Sequence, residues 1–106
     1  METRYSEPSV PSIPRDHSSA ANMIKVSANS RTSAVAGAIA GVIREHRHAE
    51  VQAIGAGAVN QAVKALVLAT GYLKLDGINV TCTPEFADVT IEDKIRTAIK
   101  LVIDPE

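Results

Sequence analysis

Between Val51 and Leu66 the chain reads VQAIGAGAVNQAVKAL: an apolar run, a Gly55-Ala56-Gly57 turn, then a helical pattern. Glycine turns between a strand and a helix are where phosphates are often held. The backbone can approach closely there, and the first helical amides are unpaired and carry the positive end of the helix dipole. The stretch begins like the G-x-G-x-x-G dinucleotide fingerprint, but Asn60 stands at the third glycine. Asp76 lies at roughly the 20-residue distance expected of a ribose-binding acid, yet it precedes a strand where that acid should end one. A chain of 106 residues is also too short for two mononucleotide-binding halves. No dinucleotide or other cofactor is expected. The glycines read more simply as a tight turn that packs a helix close to a sheet.

Other reactive side chains form no catalytic constellation. His46 and His48 are two apart at a helix end and do not share a helical face. With a single cysteine elsewhere, zinc ligation is not expected, and no metal is assigned. Ser27, Ser30 and Ser33 have no histidine at a recognisable spacing. Cys82 falls at an inward position of an alternating stretch and reads as a small buried apolar residue. The acidic groups Glu92-Asp93 and Asp104–Glu106 read as a solvated turn and terminus. An enzyme is not expected.

Apolar residues make up 45% of the chain but aromatics only 3%, so the core must be aliphatic. Recognition of single strands by stacking bases on a row of rings is disfavoured on that count. The formal charge is −1; setting aside residues 1–22 removes two arginines and three acids and leaves nine of each sign. Neutrality gives no long-range attraction to DNA or anionic lipid, so any nucleic-acid binding must come from a local patch. One cysteine permits no intrachain disulfide, which fits a reducing cytoplasmic setting. No apolar run approaches a membrane span, and no membrane association is expected.

The elements that must position the glycine turn follow from periodicity. Residues 1–22 hold five serines and three prolines with no apolar period, and are expected to be a disordered tail. The domain is then 23–106. "MIKVSA" alternates as a half-buried strand, "NSRTS" offers helix caps, and Val35, Ile39, Val42 and Ile43 recur at helical spacing. "AEVQAIG" is a second strand. A second helix from about Ala58 carries Val59, Ala62, Val63 and Leu66 on one stripe. Val67 and Leu68 widen that stripe beyond what one sheet face would cover, which points to a second subunit as the other cover. "INVTCT" alternates as a third strand with Ile78, Val80 and Cys82 inward. The stretch from Val89 to Ile103 reads as a hairpin turning at Glu92-Asp93-Lys94, since its β-branched residues alternate. Apolar parity switches between Cys82 and Val89, and a bulge around Pro84–Asp88 would explain that. The reading is a two-layer α/β (α+β) domain, β-α-β-α-β-β, with a four-stranded sheet and both helices on one face. Lys25, Ser27, Gln52, Thr81, Arg96 and Lys100 would lie on the open polar face.

Two stretches carry a specific resemblance. "SAVAGAIA" (Ser33–Ala40) and "EVQAIGAGAVNQAVKA" (Glu50–Ala65) resemble the characteristic segments of the stage V sporulation protein S family, with one extra alanine in the first. The likeness runs over roughly residues 23–103. That family is similar in fold to the Alba chromatin proteins, small β-α-β-α-β-β dimers that bind DNA or RNA. The resemblance implies that nucleic acid meets the loop after strand one, the turn into helix two and the final hairpin. Here those are Asn29, Ser30 and Arg31; Gly55, Gly57, Asn60, Gln61 and Lys64; and Lys94 and Arg96. It also implies a role in sporulation, septation or cell-cycle control. Where Alba proteins place arginines and a lysine around the turn, this chain has Gly55, Gly57 and Gln61, and its hairpin tip carries Glu92 and Asp93.

The leading expectation is a non-enzymatic regulator, dimeric or larger, that binds DNA or RNA weakly and with tolerance of sequence. An assembly module without nucleic acid, or a small-anion or nucleotide sensor at the Gly55–Gly57 turn, are the alternatives.

Overall fold

The structure, a computed structural model, describes residues 23–106. The expected tail lies outside the described residues. The order is β1 (Met23–Val26), α1 (Thr32–His46), β2 (Ala49–Ala53), α2 (Ala56–Leu75), β3 (Val80–Ile91) and β4 (Lys94–Pro105). The sheet runs β1-β2-β4-β3. β1 and β2 are parallel and joined through α1, whereas β4 runs antiparallel to both its neighbours. This is the β-α-β-α-β-β two-layer architecture that periodicity indicated.

The register aligns Ile24 with Val51 and Val51 with Leu101, and Ala49 with Ile103. One sheet face is therefore aliphatic, and both helices lie against β1 and β2 on it. From α1 come Val35, Ala36, Ile39, Ala40 and Ile43; from α2 come Ala58, Ala62, Ala65, Ala69 and Leu73. Four of those five α2 residues are alanines. Short side chains let α2 sit close to its neighbours, and close approach is what fills a core built without rings. On the opposite face Lys25, Gln52 and Lys100 line up across three strands, with Arg96 and Thr81 at the same parity; Ser27 belongs to the loop after β1.

The helices run parallel. The Gln61 side chain of α2 reaches the loop ahead of α1, donating to Ser30 O at 2.8 Å. At the other end Arg44 of α1 pairs at 2.6 Å with Asp76, the C-cap of α2. Arg47 closes α1 in a left-handed conformation, its N–H donating to Ile43 O at 2.9 Å.

Three expectations need correction. Val63 is not on the buried stripe of α2 but 46% exposed, because the close-packed face belongs to the alanines. No bulge interrupts β3: its register with β4 is continuous from Val80↔Pro105 to Ile91↔Lys94, and Ile78 precedes the strand. The parity switch arises instead because β3 is an edge strand over which the helices do not extend. For the same reason Cys82 is exposed, not buried. Pro84 is tolerated on such an edge, where an absent N–H costs no ladder bond. The hairpin turns on Glu92 (φ 51°) and Asp93 (φ 65°), two positive-φ residues as a two-residue type I′ turn requires.

Candidate nucleic-acid interface

The loop after β1 is a compact turn built from its own hydroxyls. Ser27 N–H donates to Ser30 Oγ at 2.9 Å, and Asn29 N–H donates to Ser27 Oγ at 3.2 Å. These serines therefore hold the loop rather than reach outward. Arg31 follows as the N-cap of α1, extended at φ −79° and ψ 123°, with no side-chain cap bond.

The glycine turn packs directly on this loop. Gly55 adopts φ 94° and ψ 156°, a region open essentially to glycine alone. Gly57 lies so near the loop that a Cβ there would sit 2.9 Å from the Ala28 Cβ. Both glycines thus have a structural reason. Gln61 completes the junction through Ser30 O and, at 3.3 Å, Thr32 Oγ1. Its amide N–H groups bind the two segments together, so Gln61 buckles the loop to α2.

What this junction leaves open is electrostatic. The N-termini of α1 and α2 converge at one end of the molecule, neither with a side-chain cap bond and neither with an acid in its first turn. The first intrahelical bond of α2 is Val59 N–H to Gly55 O at 3.0 Å, which leaves the amides ahead of it pointing out of the helix. Exposed Asn29, Arg31, Asn60 and Lys64 surround this end. The hairpin tip arrives there too, since Val89, Thr90 and Ile91 share a cavity with Ser27 and Ala28. All three segments singled out by the resemblance are therefore neighbours.

Formal neutrality conceals an uneven distribution. Arg44 is paired with Asp76, and Lys100 lies 3.8 Å from Glu50 and 3.6 Å from Glu85. Arg31, Lys64, Lys94 and Arg96 are exposed and have no carboxylate within 4 Å among the described residues. Most acids of the body, namely Glu45, Glu50, Asp76, Asp104 and Glu106, lie toward the far end, where the helices finish and β2 starts. The other four lie on the hairpin: Glu85 and Asp88 along β3, and Glu92 and Asp93 in the turn beside Lys94 and Arg96.

A family model described as stage V sporulation protein S (SpoVS) matches residues 22–106. The chain belongs to that family. The match covers the whole described domain, and it makes this a sporulation-related protein of a regulatory family. No helix of the described residues is long and apolar enough to cross a membrane.

Two further features of this family member escaped the sequence reading. The first is a histidine clasp at the acidic end. His48 Nδ1 lies 2.6 Å from Asp104 Oδ1 and Nε2 lies 2.9 Å from Glu50 Oε2, tying the start of β2 to the end of β4. The hydrogen bond to Asp104, then that to Glu50, raises the His48 pKa above its ordinary 6.5. Both ring nitrogens face acceptors, so the clasp is complete only when the ring is doubly protonated. Because the folded pKa exceeds the unfolded one, the stabilisation is full below about pH 6.5 and is lost as pH rises through the folded value. Chemical denaturation of the wild type should therefore show a lower midpoint at about pH 8.5 than at about pH 6, and His48→Gln should shrink that difference. An unchanged difference in the variant would remove the clasp from the account.

The second is an apolar surface. Val63, Val67, Leu68, Tyr72 and Leu75 are exposed along α2, with Leu75 at 88% and Val67 at 66%. Phe86 on the uncovered part of β3 is 80% exposed. The sequence had singled out only Val67 and Leu68 of this surface. Phe86 is hidden from a sequence reading that places Pro84–Asp88 in a bulge, whereas β3 runs straight through it.

Proposed function

We propose that the protein is a non-enzymatic, dimeric nucleic-acid-binding regulator acting in the cytoplasm, in sporulation, septation or cell-cycle control. The observation that carries this reading is the meeting of two uncapped helix N-termini with Arg31 and Lys64, flanked by Lys94 and Arg96 on the hairpin. Backbone amides at the glycine turn would donate to phosphate oxygens, Asn29 and Asn60 would add neutral donors, and the cations would supply the charge. Nothing in this set reads base edges in a duplex, so binding is tolerant of sequence and serves DNA or RNA. The exposed apolar face of α2 is the surface through which two copies pair, doubling the number of phosphate contacts.

An assembly role without nucleic acid is the second reading, favoured by the same apolar face together with zero net charge over the domain. Titration of the full chain against duplex DNA and single-stranded RNA over a salt series separates the two. Two to four phosphates neutralised by Arg31, Lys64 and their dimer mates give a slope of log affinity against log salt of about −2 to −4. Absence of binding to either polymer at low salt would hand the function to the assembly reading.

A further inference from the structure

The cavity between the loop after β1 and the hairpin tip is an open cleft of about 610 Å³, within the range of small-molecule sites. Val26, Ala28 and Ile54 form one side, and Val89 and Ile91 of β3 form the other. β3 and β1 are separated in the sheet by two strands, so the hairpin must curl toward β1 for these walls to meet. Gln52 is the polar side chain of the lining left for a ligand; Thr90 alternates to the face opposite Val89 and Ile91, Ser27 is bonded to Ser30, and Lys25 is engaged within the fold. In register with the apolar wall, Ile91 pairs with Lys94 and Val89 pairs with Arg96. Two exposed cations with no carboxylate within 4 Å among the described residues therefore stand on the same face as that wall.

We infer that this cavity takes one nucleotide: a heterocyclic base held between the aliphatic walls, its edge bonded by Gln52, its phosphate at Lys94 and Arg96. Each part answers to one chemical feature of the ligand. Apolar side chains on two sides accept the faces of a flat ring without any aromatic partner. A side-chain amide offers the paired donor and acceptor that a base edge presents. Cations at one rim fix the anionic end. Glu92 and Asp93 in the adjoining turn oppose these cations and keep the affinity modest. The occupant is either a free mononucleotide or an unstacked nucleotide of a single strand. The second source rests on the nucleic-acid reading; the first does not. The glycine turn lines no part of this cavity, but the site adjoins the phosphate-binding end and shares Lys94 and Arg96 with it.

The test is NMR on the full chain, following the methyl groups of Ala28, Val89 and Ile91 and the Gln52 side-chain amide. Each ribonucleoside 5′-monophosphate, ribose 5-phosphate, an unstructured oligouridylate and a short DNA duplex are added separately. Saturable shifts of these groups with a mononucleotide, and not with ribose 5-phosphate, support a free nucleotide as occupant. Shifts with the oligonucleotide alone support a nucleotide of a strand. Val89→Phe, which narrows the slot, should weaken whichever ligand binds by about tenfold or more while duplex binding holds. Loss of duplex binding with nucleotide shifts retained overturns the interface reading alone. The cavity proposal falls if no nucleotide, free or in a strand, shifts these groups at millimolar concentration, or if ribose 5-phosphate shifts them equally.

Discussion

Leu68→Glu is expected to sediment as a monomer at micromolar concentration, under conditions where the wild type sediments as a dimer or larger. Leu68 is 40% exposed and Val67 66%, beside Val63, Tyr72 and Leu75 on the face of α2 that the core does not use. A monomer leaves five large apolar side chains of one helix in water, an arrangement typical of an interaction surface. A glutamate at the centre of that face, once covered, would be a buried charge without a partner, at a cost of several kcal/mol to association. The fold itself should survive, because the residues that seat α2 are Ala58, Ala62, Ala65, Ala69 and Leu73. An unchanged helical signal in the monomeric variant would show that. A wild type that is monomeric at micromolar concentration would end the pairing proposal.

The Arg31→Glu, Lys64→Glu double variant should lose binding to both DNA and RNA at low salt while remaining a dimer. Each change reverses a charge at the end where the helix dipoles converge, so a dimer carries four reversals, set against only two to four phosphates. Neither residue makes a side-chain contact that the fold needs: Arg31 caps α1 through its backbone alone, and Lys64 is exposed on α2. Stability should therefore change by less than about 0.5 kcal/mol, as for ordinary surface substitutions. Wild-type affinity in this variant, measured by fluorescence anisotropy, would contradict the placement of the interface.

The sequence carried the element order well because strands and helices here announce themselves by strict period. Ile24 and Val26, or Ile99, Leu101 and Ile103, alternate cleanly, and α1 repeats Val35, Ile39 and Ile43. The misreadings have two causes: size suggests burial in α2, and alternation suggests it in β3. In α2 the stripe of Val59, Ala62, Val63 and Leu66 includes Val63 wrongly, because the buried line is mostly alanine and close helix packing selects small side chains. In β3 alternation places Cys82 on a covered face, yet the helices reach only β1, β2 and part of β4, leaving Cys82 exposed.

At the candidate site the fold brings together the three segments that the resemblance names, but side-chain roles depend on distant partners. Gln61 is occupied by Ser30, 31 positions away, and His48 by Asp104, 56 positions away. No local spacing encodes either bond. The concentration of unpaired cations at one end was equally hidden, since a net charge says nothing of where the acids fold.

Mapping amide shifts as a short duplex is added to the isotope-labelled full chain tests the interface most directly. The account predicts that the largest shifts fall on Asn29, Ser30 and Arg31, on Gly57 and Ala58 at the start of α2, and on Asn60 and Lys64, with smaller ones at Lys94 and Arg96. These shifts should fade as salt is raised. Shifts confined to the opposite end, around Asp76, His48 and Asp104, or no shifts at low salt, would contradict it.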